Sequence, residues 1–172
     1  MPSAAPFKSK TLTALLAFLG GSLGLHRFYL YSRRDAFGWL HLLGLLLGLV
    51  GLVLLWQSAR ASVFGWCLAA PGLVSIVAGC IAALVYGLRP DEKWDARFNP
   101  AHARRSRSGW PVVLVVMAAL FVGTCILMAA LALLFQTYFE YDVARERAEA
   151  NASQPAAAVR AMPASSSATS AR

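Results

Sequence analysis

Apolar residues in this chain gather into four long runs, separated by short polar stretches rich in arginine. The runs cover residues 11–25, 36–56, 63–88 and 110–135. A helix needs about 20 mostly apolar residues to cross the roughly 30 Å hydrocarbon core of a bilayer. The second, third and fourth runs meet that length directly. Residues 11–25 would span only about 22 Å as a helix, so this run crosses only if it continues to Tyr31. Arg27 would then snorkel to the interface, with Phe28, Tyr29 and Tyr31 as an aromatic belt. The pattern therefore predicts an all-α integral membrane protein of four spans. A three-span version, with the first run re-entrant, is the other arrangement it allows.

The polar stretches divide the chain further. Residues 1–10 read as a polar tail. Lysines ahead of a short oily run resemble a signal peptide, but His26-Arg27-Phe28-Tyr29 follows in place of a small-residue cleavage site, so the run is read as retained. The first two runs form a hairpin over residues 11–57, and the third segment occupies 58–88, with Pro71-Gly72 inside it to bend the helix. Residues 89–109 form a basic connection whose first part, DEKWDARF, has acids early and bases late, as a short interfacial helix should. In that helix Trp94 and Phe98 share one face and are expected to dip into the headgroups. The fourth helix and its charged extension cover 110–150, with Arg145 and Glu149 paired one turn apart. Residues 151–172, rich in Ala, Ser and Pro, are expected to be disordered.

Composition agrees with lipid as the solvent. Hydrophobic residues make up 58% and charged residues 14% of the 172 positions, against roughly 45–50% and 25% in soluble domains. The net charge of +8 lies mostly between the apolar runs, which points to the positive-inside rule rather than to nucleic acid. With four spans, residues 26–35 and 89–109 carry nine Lys/Arg on one side, against five near the membrane on the other. With three, the count becomes eleven against three. Both versions put residues 26–35 and 89–109 in the cytoplasm. The basic Arg104-Arg105-Ser106-Arg107 cluster is a candidate contact for anionic lipid headgroups.

Small residues recur at four-residue spacing: Gly20 with Gly24, Gly44 with Gly48, and a ladder of Ser75, Gly79, Ala83 and Gly87. Such faces let helix backbones approach closely, first within the chain and then between copies. Cys67, Cys80 and Cys125 all lie in apolar runs and suit packing rather than a disulfide or zinc site. His26 and His41 lack carboxylate partners for a metal; His26 is expected to hydrogen-bond at the interface and His41 to pack in the bundle, with the 26–35 loop as its partner. No catalytic motif appears, all eight acids lie outside the apolar runs or at their edge, and no cofactor is implied.

The residues Gly20, Gly21, Gly24, His26, Arg27, Phe28, Tyr29 and Gly38 carry a resemblance. The stretch GxxGxHRFY, with the helix that follows to about Trp56, resembles the TM-two domain family: two membrane helices joined by a short aromatic turn. His26 in place of Asp resembles its bacterial branch. Tyr31 departs from the glycine usual after Tyr-Leu, and Gln57 from an acid. The resemblance implies a helical hairpin with its turn in the cytoplasm. Function is expected to be that of a non-enzymatic structural or interaction module of a bacterial inner membrane, touching lipid and a membrane partner or a second copy. A small-solute or ion permease component, gated at the bent third segment, is the alternative. Arg27 in the turn is expected to meet a phosphate or a helix C-terminus.

Overall fold

In a computed structural model the backbone is described over residues 6–161, and side chains over 6–153. Among these residues every regular element is a helix: α1 Lys10–Gly20, α2 Leu25–Leu30, α3 Ala36–Gln57, α4 Val63–Leu88, α5 Asp91–Phe98 and α6 Trp110–Ala161. Three of them, α3, α4 and α6, are long and apolar enough to cross a membrane. The chain divides into two units, residues 1–130 and 131–172.

The expected first span is corrected. The run that begins at Thr11 does not continue as one helix to Tyr31. It breaks after Gly20, turns through residues 21–24, and restarts as the six-residue α2. Gly24 takes φ 73° at this restart, a left-handed conformation that costs other residues about 1–2 kcal/mol. A Cβ there would also sit 2.8 Å from the Gly38 Cα. Eleven residues of α1 reach only about 16 Å, well short of a hydrocarbon core of about 30 Å. Gly20 and Gly24 consequently share no helical face; Gly20 lies against Leu25, and Gly21 instead meets Gly79.

Helix α4 is the centre of the first unit, and the small residues along it divide among three neighbours. Against α3 the pairing is antiparallel: Gly44 meets Pro71, Gly48 meets Gly72, Gly51 meets Leu68 and Ala69, and Leu55 meets Gly65. A Cβ on Gly48 would fall 2.5 Å from the Gly72 Cα, which no side chain tolerates. Against α1 and its turn, Gly79 meets Ala17 and Gly21, while Ser75 Oγ lies 3.2 Å from the Ser22 carbonyl oxygen. Against α6, Gly87 meets Val116, and Gly123 meets Cys80. Ala17, Ala83 and Ala119 form the buried centre where α1, α4 and α6 come together. Helix α4 runs unbroken through Pro71.

Away from these seams the large apolar side chains of α3, α4 and α6 face outward, including Leu43, Leu46, Val74, Ile81, Leu114 and Phe121. Cys67 and Cys125 are exposed, Cys80 is buried, and all three are free. In the second unit the helix is exposed and braced by one-turn pairs, Arg145 Nε to Glu149 Oε1 at 2.9 Å and Gln136 to Glu140 at 2.8 Å. It continues to Ala161, eleven residues into the segment expected to be disordered; residues 162–172 lie outside the described part.

Candidate functional site

The polar residues of the first unit concentrate at one end, where α2, the residues before α1, the entrance to α3, and α5 meet. Arg27 organises the corner between α2 and α3. Its Nε donates to Asp35 Oδ2 at 2.8 Å and its Nη2 to Oδ1 at 3.2 Å, a two-pronged charge-assisted pair. Asp35 is also the N-cap of α3, accepting from the Gly38 N–H at 3.2 Å. The guanidinium carbon lies 4.7 Å from the Tyr31 ring centroid and 4.9 Å from that of Phe37. The hydrogen bonds from Arg27 hold the Asp35 carboxyl below its ordinary range, despite opposition from burial. Arg27 therefore places its fork inside the chain, on a carboxylate eight residues away. Phe28 sits against Gly38, where only hydrogen leaves room for the ring, and packs edge-on to Trp39.

His26 does not hydrogen-bond at an interface. It is 1% exposed; its ring stands edge-on to His41 at 5.5 Å and near Tyr86 at 5.8 Å, and its Nδ1 has no hydrogen-bond partner. His41 Nδ1 lies 3.1 Å from Ser75 Oγ, and its ring does meet α2 through His26. Among the described residues no group of three or more His, Cys, Asp or Glu comes together to hold a metal ion.

The stretch preceding α1 is a strap laid across α5. The Lys8 N–H donates to Asn99 Oδ1 at 2.8 Å, and the Lys8 carbonyl accepts from Trp94 Nε1 and Asn99 Nδ2, both at 3.0 Å. Lys8 Nζ donates to the Leu30 carbonyl, and the Ser9 N–H donates to Tyr29 Oη at 3.0 Å. Lys10 Nζ, almost buried, reaches the Arg89 carbonyl at 2.6 Å and Asp91 Oδ1 at 2.7 Å. This corrects the expected lipid-dipping face of α5. Trp94 is fully buried, its ring tilted against Phe98 at 4.5 Å and edge-on to Tyr86 at 6.0 Å. The same one-turn spacing that would suit a headgroup anchor instead makes the centre of a polar and aromatic joint.

Two aspartates on α5 fix the basic segment that follows it. Asp91 accepts from the Ser108 N–H at 2.6 Å and from its hydroxyl. Asp95 accepts from the Ser106 N–H at 2.7 Å and hydroxyl at 2.6 Å, and from Asn99 Nδ2 at 3.0 Å. One helical turn separates the carboxylates by about 6 Å; two residues of extended chain cover about 6.6 Å. The two ladders therefore match in spacing. Burial pushes both carboxyls up, but these hydrogen bonds, with Lys10 added at Asp91, outweigh it and hold both below the ordinary value of 3.8.

Residues 6–56 match the family model of the TM2 domain. The match takes in α1, α2 and nearly all of α3, so the Arg27–Asp35 corner and the Gly24–Gly38 contact are features of the TM2 region. Helices α4, α5 and α6 fall outside it. No curated protein and no solved structure matches the chain.

Of the residues singled out from sequence, the structure brings His26, Arg27, Phe28, Tyr29, His41, Trp94 and Phe98 to the same end of the first unit. It places Gly44, Gly48, Ser75, Gly79, Ala83 and Gly87 on the helix seams. Sequence reasoning missed Lys8, Lys10, Asp35, Asp91, Asp95 and Asn99 as partners. The i,i+4 aspartates facing an i,i+2 serine pair were the available signal.

Proposed function

We propose that this chain is a non-enzymatic integral membrane protein of three spans, acting as a structural or protein-interaction module in a bacterial inner membrane. Residues 26–35 and 89–109 would face the cytoplasm, and GxxGxHRFY would serve as the rigid joint of the bacterial type of TM2 domain. One observation carries the reading: the strap, the Arg27–Asp35 corner and α5 lock to one another at a single end of the helices. On the three-span reading Lys8, Lys10, Arg27, Arg33, Arg34 and the six Lys/Arg of residues 89–109 would lie on one side, eleven in all, against Arg60, Arg145 and Arg147 near the membrane on the other. Positive charge of that asymmetry sets orientation.

The use of the acids supports a structural role. Asp35 serves Arg27, Asp91 serves Lys10 and Ser108, and Asp95 serves Asn99 and Ser106. Each carboxylate is committed to holding chain segments together. The glycine seams support close packing of helices within one chain. A permease gated at Pro71 has less support, because Pro71 and Gly72 are in direct contact with Gly44 and Gly48.

The test is two measurements on the full chain. A photo-crosslinking residue at exposed Lys93, in native membranes, is expected to capture a small, reproducible set of membrane proteins, or the chain itself. Reconstituted liposomes are expected to leak solutes no faster than protein-free ones. Solute-selective flux that disappears in Pro71→Ala would replace the module reading with the permease.

A further inference from the structure

A cavity of about 280 Å³ opens between the strap and the segment 104–108, lined by Phe7, Ser9, Thr11, Arg104, Arg105 and Arg107 among others. We propose that this cavity binds the phosphate of an anionic phospholipid headgroup. The proposal rests on the membrane reading above and names the lipid chemistry that this end of the protein would select.

The charge balance is the first support. Three arginines fall within four consecutive positions, and the hydrogen bonds of the carboxylates beside them go to other groups, although Asp95 still feels the charge of Arg105. Asp91 and Asp95 accept from Ser108 and Ser106, and Asp91 also neutralises Lys10. Among the described residues no ion pair neutralises Arg104, Arg105 or Arg107. Arg104 lies over the Phe7 ring at 4.8 Å. Like charges so close repel, and the two serine–aspartate ladders hold them there regardless. An anion relieves that repulsion, and guanidinium forks match the oxygens of a phosphate.

Depth is the second support. Ser108 lies two residues before Trp110, which opens the third span and is 79% exposed. Tryptophan in that position marks the headgroup level. A cavity beside it faces a layer of phosphates at high local concentration, and basic clusters next to a span attract anionic lipid. Phe7 supplies an apolar wall suited to the glycerol end of a headgroup.

The experiment uses the full chain in neutral detergent, with lipid retention read by native mass spectrometry. Phosphatidylglycerol is expected to be retained at least tenfold over phosphatidylcholine. That preference should vanish in R104Q/R105Q/R107Q and persist in R33Q/R34Q, which removes equally exposed charge from the other loop. Millimolar inorganic phosphate should not displace the lipid. Equal loss in both variants would reduce the effect to general charge and overturn the site, as would no lipid preference at all. Displacement by inorganic phosphate would also overturn it, in favour of a free-phosphate site. Should the triple variant misfold, Arg107→Gln alone carries the same comparison. Loss of headgroup preference in a protein that still needs detergent would remove the site and leave the membrane reading standing.

Discussion

The Arg27–Asp35 pair can be weighed by a double-mutant cycle. Asp35→Asn removes the charge but keeps the cap on α3, because Asn caps as well as Asp. Arg27→Gln removes the fork and both ring contacts. Hydrogen bonds to charged groups contribute about 1.5–3 kcal/mol when buried, but the two side chains keep 22% and 16% of their surface, so solvent screens part of that. Each ring contact adds about 0.5–1 kcal/mol. Arg27→Gln should therefore destabilise by about 2–3 kcal/mol. Asp35→Asn should cost less, and Asp35→Ala about 1 kcal/mol more than Asn through the lost cap. The coupling energy between Arg27→Gln and Asp35→Asn should reach about 1–2 kcal/mol. Equilibrium unfolding in mixed micelles by added SDS, followed by tryptophan fluorescence, measures all four corners of the cycle. Coupling below about 0.5 kcal/mol, the usual error of additivity, would mean that Arg27 and Asp35 act independently, and the corner as described would fail.

Other consequences can be checked in the same system. Gly24→Ala combines a left-handed φ with a clash against Gly38 and should cost about 2–4 kcal/mol; an unchanged unfolding midpoint would contradict the turn. Gly48→Val should be more damaging than Gly44→Ala, since a Cβ at Gly48 would fall 2.5 Å from the Gly72 Cα and one at Gly44 2.9 Å from the Pro71 carbonyl oxygen; near-normal melting would break the α3–α4 register. Asp91 and Asp95 have depressed folded values, so the stability they give is full above the unfolded value of 3.8 and is lost as pH falls through the lower folded values. Labelling of an Ala103→Cys reporter should accordingly quicken only below about pH 4, and Asp95→Asn should shrink that acid step to the part that Asp91 carries. In a cysteine-free background, Pro6→Cys and Ser32→Cys should label from the same side and Ala61→Cys from the other. Opposite labelling of Pro6→Cys and Ser32→Cys would restore a fourth span.

What could be read from sequence was set by solvent and by local signals. Helix α4 coincides with the third apolar run, 63–88, whose ends are visible without coordinates. The break in the first run was not, because Gly20-Gly21-Ser22-Leu23-Gly24 remains oily while losing helical preference; a hydropathy count cannot see a left-handed glycine. Trp94 was misplaced for a related reason. Its amphipathic spacing suits lipid or protein equally, and its partner, the Lys8 carbonyl, lies 86 positions away. Arg27 lay next to an interface, which made phosphate the natural guess; only the turn of the chain at residues 31–34 brings Asp35 to it.

The strap has a bearing on how the protein is made. Lys8 finds Asn99 across 91 positions and Lys10 finds Asp91 across 81, so the strap leaves the ribosome well before its partners on α5 are made. At about 5–20 residues per second, it must wait roughly 5–20 s, with α3 and α4 already available to pair. During that interval Lys10 lacks its carboxylate and Trp94 does not yet exist. Biogenesis therefore has a built-in delay, in which the opening segment stays available to whatever machinery accompanies nascent chains into the bilayer.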